Sequence, residues 1–204
     1  MPGLAVLFGT RHGHARAVAE RVARVLREQG ADAALVDLAR QEPALDAMDG
    51  VIVVASAHTG HYEREVVRFV RRRREALAAI PNAFLGISLS QAGVQRQDAS
   101  AAEHAKFATD VDKLFAQFVA DTGWQPRVRH DVAGALLYTQ YGWPVRLILR
   151  RIARLSGGST DTSRDHDYTD WTDLDRFAVR FAQEVNGLRS VPPAGHAVDG
   201  APVK

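Results

Sequence analysis

"LAVLFGTRHGHARAVAERVA" (residues 4–23) runs from an apolar stretch through a short polar loop straight into a helix. Leu4 to Phe8 has the composition of a buried strand, and from Ala15 to Gln29 the residues Val18, Val22, Val25 and Leu26 recur on one helical face. Gly30 is a stop for that helix. The first-turn amides of a helix have no partners within it, so a loop that feeds a helix from the end of a strand suits an anion. Thr10 supplies a hydroxyl, Arg11 a charge and Gly13 a close backbone approach. The loop lacks the Gly-Lys-Ser/Thr of a nucleotide P-loop, and Gly9 and Gly13 give G-x-x-x-G instead of the dinucleotide pattern. Asp37 nevertheless stands where a ribose-binding acid would. The plain alternative is a strand–helix turn that holds nothing.

Outward from that stretch, strand and helix patterns alternate. "AALVDL" (33–38) reads as a second strand, and "VIVVAS" (51–56) is a β-branched run of the kind buried on both faces of a parallel sheet. Glu63 to Ala79 reads as a helix broken by Ile80-Pro81-Asn82. "AFLGISLS" (83–90) is a fourth strand, Gln91 to Ala99 a polar loop, and a helix follows to about Asp121. "VAGALLY" (132–138) reads as a fifth strand. The closing helix runs from about Thr169, a cap with Asp170 and Asp173 behind it, to Asn186. Residues 189–204 have the composition of a structureless tail, leaving 1–188 as one domain. Such alternation predicts an open, doubly wound α/β sheet whose ligand sits at the carboxyl ends of the strands. That rule selects the loops Gly9–His14, Ser56–Tyr62 and Ser90–Asp98.

Composition narrows the chemistry. The chain has 204 residues, 46% of them hydrophobic and 25% charged, as expected of a globular protein with a full core. No apolar run approaches the roughly 18 residues of a membrane span, and the start reads as a strand without a basic leader, so no signal peptide is expected. There is no cysteine, so redox work needs a bound cofactor. His12, His14, His58 and His61 stand in the loops without cysteine or carboxylate support, a weak pattern for a metal site, and none is expected. The net charge is only +2, yet Arg127, Arg129, Arg146, Arg150, Arg151 and Arg154 face a single acid, Asp131, and a second cluster spans Arg71 to Arg74. Local basic density points to an anionic partner.

"YTQYGWPVRLILRRIARL" (138–155) projects as an amphipathic helix, with Val145, Ile148, Leu149, Ile152 and Leu155 on one arc and Arg146, Arg150, Arg151 and Arg154 on the other. Tyr138, Tyr141 and Trp143 precede it, an aromatic and basic mixture favoured at membrane interfaces. Packing of the apolar arc on the chain's own sheet, with solvated arginines, is the ordinary alternative.

Taken together, "FGTRHGHAR", "ASAHTGHY", "VAGALLY", the basic aromatic stretch and "LSGGSTDTSRDHDYTDW" resemble the flavodoxin-type, quinone-dependent protoporphyrinogen IX dehydrogenases, from residue 4 to about 187. The resemblance implies a flavodoxin-like five-stranded parallel sheet of order 2-1-3-4-5 with a basic helical insertion at about 138–165. It also implies FMN. Thr10, Arg11, His12, Gly13, His14 and Ala15 would hold the phosphate. Ser56, Ala57, His58, Thr59, Gly60, His61 and Tyr62 would flank the isoalloxazine with Ser88, Leu89, Ser90, Gln91, Ala92 and Gly93. Gly9 and Ala15 replace a serine and a threonine usual in that family, each removing a side-chain hydrogen bond to the phosphate.

The activity implied is oxidation of protoporphyrinogen IX with menaquinone or ubiquinone as acceptor. Tyr138, Tyr141, Trp143 and the four arginines of the insertion would meet substrate or membrane, placing the protein in the cytoplasm against the inner face of the cell membrane. His58, His61 and Tyr62 are candidate bases by position, and a reaction driven by the cofactor alone is equally compatible. The rival readings are a flavodoxin-type electron carrier, an NAD(P)H:quinone reductase, and a nucleic-acid-binding protein. The last lacks the strand-borne aromatics and helix-turn-helix signals of the common modules.

Overall fold

The structure, a computed structural model, describes residue 1, residues 3–136 and residues 165–190. Strand β1 (Gly3–Gly9) leads into α1 (His14–Glu28), followed by β2 (Asp32–Asp37), β3 (Gly50–His58), the short β4 (His61–Tyr62) and α2 (Arg64–Ala79). Then come β5 (Asn82–Ser88), α3 (Leu89–Val94), α4 (Ala101–Thr122), β6 (Val128–Ala133), β7 (Ala135–Leu136), β8 (His166–Asp167) and α5 (Trp171–Ser190).

Five strands pair in parallel in the order β2-β1-β3-β5-β6, the expected order counted over the long strands. Side chains alternate across the sheet. Leu4, Val6, Phe8, Ile52 and Val54 pack against α1 and α5, whose Leu174, Phe177, Phe181 and Val185 close that face. Ala5, Leu7, Val51, Val53 and Phe84 pack against Phe69 and Leu77 of α2 and Phe118 of α4. Both faces are covered, which is why the strands read as unbroken apolar runs. Local signals set the ends of the helices. Ser100 and Glu103 form a capping box at α4, and Gly123 ends that helix at φ +67°.

Several expected boundaries move. The fifth sheet strand is Val128–Ala133, not 132–138. Gly134 interrupts the apolar run where its backbone passes the backbone of Ser88, and Ala135–Leu136 instead pairs antiparallel with His166–Asp167. The fourth strand stops at Ser88, whose Oγ accepts from Gln91 N at 3.1 Å, so the expected loop from Gln91 begins as helix α3. Asp170, not Thr169, caps α5 by accepting from Asp173 N at 2.9 Å. That helix continues past Asn186 to Ser190, taking the first two residues of the expected tail. The basic insertion, with Tyr138, Tyr141, Trp143, Arg146, Arg150, Arg151 and Arg154, and the remainder of the tail lie outside the described residues.

Candidate functional site

The carboxyl ends of β1, β3 and β5 open into a cleft of about 740 Å³. Its first wall is the loop between β1 and α1, where Thr10, Arg11, His12 and His14 line the space. Thr10 Oγ1 accepts from Gly13 N at 2.9 Å and curls the loop so that Gly13, at φ +84°, precedes α1. No side chain caps α1 and its first turn holds no acid, which leaves that amide-rich end to an anion from the cleft. The Ala15 side chain faces the core, so the residue can meet an anion only through its backbone amide in the first turn of α1. Gly9 is required by close approach, because a Cβ there would stand 2.6 Å from Val66 Cγ2. The first turn of α2 thus occupies the room that a serine side chain would need. Asp37, placed in the sequence where a ribose-binding acid would stand, is engaged by Arg16 at 3.1 Å and Arg40 at 3.4 Å.

His14 fastens this loop to the far end of the chain. Its Nε2 lies 3.0 Å from Thr169 Oγ1, and the Thr169 hydroxyl donates to Ala133 O at 2.9 Å. The single hydroxyl proton being spent on Ala133, His14 Nε2 carries the proton in this contact. Burial lowers the pKa of the imidazole, and Trp171 packs edge-on against it with ring centroids 6.2 Å apart. Thr169 and Trp171 belong to the "YTDW" segment, which therefore braces the loop that opened the sequence.

The second wall is a hairpin. β4 folds back on β3, pairing Ala57 with Tyr62 and His58 with His61, and Thr59 and Gly60 make the turn at φ 50° and 83°. Ser56, Ala57, His58, Thr59, Gly60 and His61 all line the cleft. Tyr62 does not. Its ring enters the core against Phe84 and Phe118, at centroid distances of 5.1 and 5.4 Å, and its hydroxyl fills the space over Gly86. Burial pushes that phenol up, so it stays protonated and is no base.

His58 differs. Its Nε2 lies 3.1 Å from Glu63 Oε1, and its ring meets His12 edge-on at 5.3 Å. Burial, then the charges of Arg11 and His12, hold its pKa down to about 4, so the ring is neutral at pH 7. Glu63 is only 4% exposed and is engaged on its other oxygen by Arg11 at 3.4 Å. Burial raises this carboxyl, the Arg11 charge opposing the shift.

The third wall is the β5–α3 junction, where Ser88, Leu89 and Ser90 face the cleft. Gln91, Ala92 and Gly93 are not part of the lining, and Gly93 is pressed so closely on Phe107 that a Cβ would stand 2.6 Å from that ring. Four lining residues of α4 escaped the sequence reading: Asp110, Lys113, Leu114 and Gln117. On an amphipathic helix such residues look like any solvated face. Ile87, Gly134, Ala135 and Leu136 complete the lining, with Ala57 and Leu114 giving it apolar surface. Among the described residues no group of three or more His, Asp or Glu is placed to hold a metal ion, and no helix is long and apolar enough to cross a membrane.

The cleft is therefore a site with an anion cradle at one end and a partly apolar chamber, edged by histidines, beside it. A family model described as a flavodoxin domain matches residues 5–163. The protoporphyrinogen IX dehydrogenase [quinone] of Escherichia coli (strain K12) is 31% identical over 178 residues, spanning 87% of this chain and 93% of that protein. The protein of the same name from Leishmania major is 26% identical, over 89% of this chain and 75% of that one. Among solved structures, a flavodoxin, WrbA-like protein from Agrobacterium tumefaciens superposes with a TM-score of 0.50 at 11% identity, over 92% of this chain and 99% of that one, a likeness of fold alone. The chain thus belongs to the flavodoxin-domain family, alongside the protoporphyrinogen IX dehydrogenases [quinone].

Proposed function

We propose that this chain is an FMN-dependent dehydrogenase that oxidises protoporphyrinogen IX to protoporphyrin IX and passes the electrons to a quinone. The observation that carries this reading is the uncapped, acid-free start of α1 opening into the same cleft as the β3–β4 hairpin and the β5–α3 junction. FMN, when bound, supplies two-electron oxidation, three rounds of which aromatise the macrocycle.

The residues present fit that group. The α1 amides and Arg11 bind the phosphate, with the Thr10 hydroxyl holding the turn closed. Ser56 to His61 and Ser88 to Ser90 shape the chamber for the ring system and exclude water from its apolar parts. Glu63 keeps Arg11 at the rim. His58, a neutral imidazole at pH 7 with a low affinity for a proton, offers the substrate a hydrogen bond at a ring nitrogen and not a general base, while Tyr62 keeps its own proton. The basic, aromatic segment from Tyr138 to Arg154 is proposed to rest against an anionic membrane surface where a lipid-soluble quinone is available.

Two measurements test the reading. Titration of the purified chain with FMN should give a bound-flavin absorbance spectrum at micromolar concentrations. Protoporphyrinogen IX with menaquinone should then give porphyrin fluorescence faster than autoxidation. Bound flavin with no such rate would leave an electron carrier, and bleaching of the flavin by NADPH would indicate an NAD(P)H:quinone reductase.

A further inference from the structure

A second groove, of about 650 Å³, opens beside the cleft between α2 and α4, and the two share Arg11, His58 and the hairpin tip. Its floor is apolar, formed by Val67, Leu114 and Phe118. Its rim is cationic. Arg64, Arg68, Arg71 and Arg72 follow one another at i, i+4, i+7 and i+8, which puts them on one side of α2.

Two of these arginines already have partners. Arg71 Nε donates to Asp121 O at 2.6 Å, and Arg72 pairs with Glu42. The carboxylates that line the groove are also taken, Glu63 by Arg11 and Asp121 by the amide of Gln117 at 2.9 Å. Arg64 and Arg68 are exposed and have no acidic partner among the described residues. An apolar floor beneath two uncommitted guanidinium forks suits a flat apolar body carrying carboxylates at its edge.

We propose that this groove is a carboxylate-binding subsite for the substrate, with Arg64 and Arg68 taking the propionate arms of the tetrapyrrole while its body lies towards the shared hairpin. This rests on the proposed dehydrogenase function. Arg64 and Arg68 act here as specificity-determining residues and do not touch the reacting atoms.

The test uses the full chain loaded with FMN and follows its binding of protoporphyrin IX, the stable product, by fluorescence. The dimethyl ester of protoporphyrin IX, in the same detergent, serves as the comparison. An exposed guanidinium–carboxylate pair contributes a few-fold in affinity, so Arg64→Ala/Arg68→Ala should raise the Kd for the free acid by about tenfold. The Kd for the ester should not move, and the advantage of acid over ester should shrink with added salt. Far-UV circular dichroism and FMN titration of the variant report that the fold and the flavin site are intact. Failure of the unmodified chain to bind FMN would remove the dehydrogenase reading, while the porphyrin titration would still report on the groove.

Three results would overturn the proposal: no binding of the free acid by the unmodified chain, equal binding of the acid by both proteins, or equal weakening of acid and ester. Unchanged porphyrin binding with lost sedimentation on phosphatidylglycerol vesicles would do so too, by assigning the arginines to a lipid surface.

Discussion

Gly9 offers a direct test of how the end of β1 is built. A Cβ at this position would stand 2.6 Å from Val66 Cγ2 and 3.0 Å from Glu65 Cγ. Carbon atoms pack comfortably at about 3.5–4.0 Å, so Gly9→Ser forces a displacement of about 1 Å. Val66 cannot simply turn aside: it is β-branched, fully buried and fixed in the first turn of α2. Overpacking of this kind destabilises by about 1–3 kcal/mol. For a chain of this size that lowers Tm by roughly 2–12 °C. Urea unfolding followed by tryptophan fluorescence measures it, since Trp124 is 1% exposed and reports loss of the core.

Val66→Ala alone should destabilise by about 1.5 kcal/mol through its two lost methyl groups. The double variant should be more stable than the sum of the two losses by about 1–3 kcal/mol, because the alanine makes the room that the serine needs. An unchanged urea midpoint for Gly9→Ser, or strict additivity in the double variant, would refute the packing argument.

Other expectations concern charge and hydrogen bonding. His58 titrates at about 4 in the fold against an ordinary 6.5, so across that interval the unfolded chain binds a proton that the folded one refuses. Its contribution is intact above pH 6.5 and is lost on acidification towards pH 4, by about 3 kcal/mol in all; His58→Gln should flatten the stability profile there, and an unaltered slope would count against the assignment. Thr169→Val removes the hydroxyl between His14 and Ala133 and should lower stability by about 1–2 kcal/mol with a several-fold weaker FMN titration, whereas Thr169→Ser retains both. Identical behaviour of the two Thr169 variants would exclude the brace. Asn82 is 1% exposed, gives two hydrogen bonds to Leu77 O and Ile80 O and accepts one from Arg127 N, so Asn82→Ala should lower the unfolding free energy by about 3 kcal/mol or more in urea titration. A loss below about 1 kcal/mol would show that water replaces those partners.

The parts of the fold that were legible are those where one physical demand dominates. β1 and β3 are buried on both faces, and continuous apolar runs announce that. β6 was misplaced because it is an edge strand whose charged residues find partners in space: Arg129 meets Asp131 at 2.8 Å and Asp112 at 2.9 Å. Those partners are invisible to periodicity, whereas the apolar run just after it looked like a strand and is cut by Gly134. The same division holds in the site. Loops that leave strands at one edge are predictable from topology, so Thr10 to His12 and Ser56 to His61 were found. Tyr62 resembled them in a polar loop, but antiparallel pairing of β4 turns its ring into the core. Asp110, Lys113 and Gln117 reach the cleft only through the docking of α4 against the sheet, which no local pattern encodes.

The contact between His14 and Thr169 joins residues 155 positions apart. Arg21 and Asp175 extend the same seam, with a paired hydrogen bond of 2.7 and 2.5 Å between α1 and α5. A chain emerging from the ribosome therefore displays the cradle's own residues 155 positions before the hydroxyl that braces them. A premature stop before Thr169 would thus act as a lesion in the first loop, although every residue of that loop had been made.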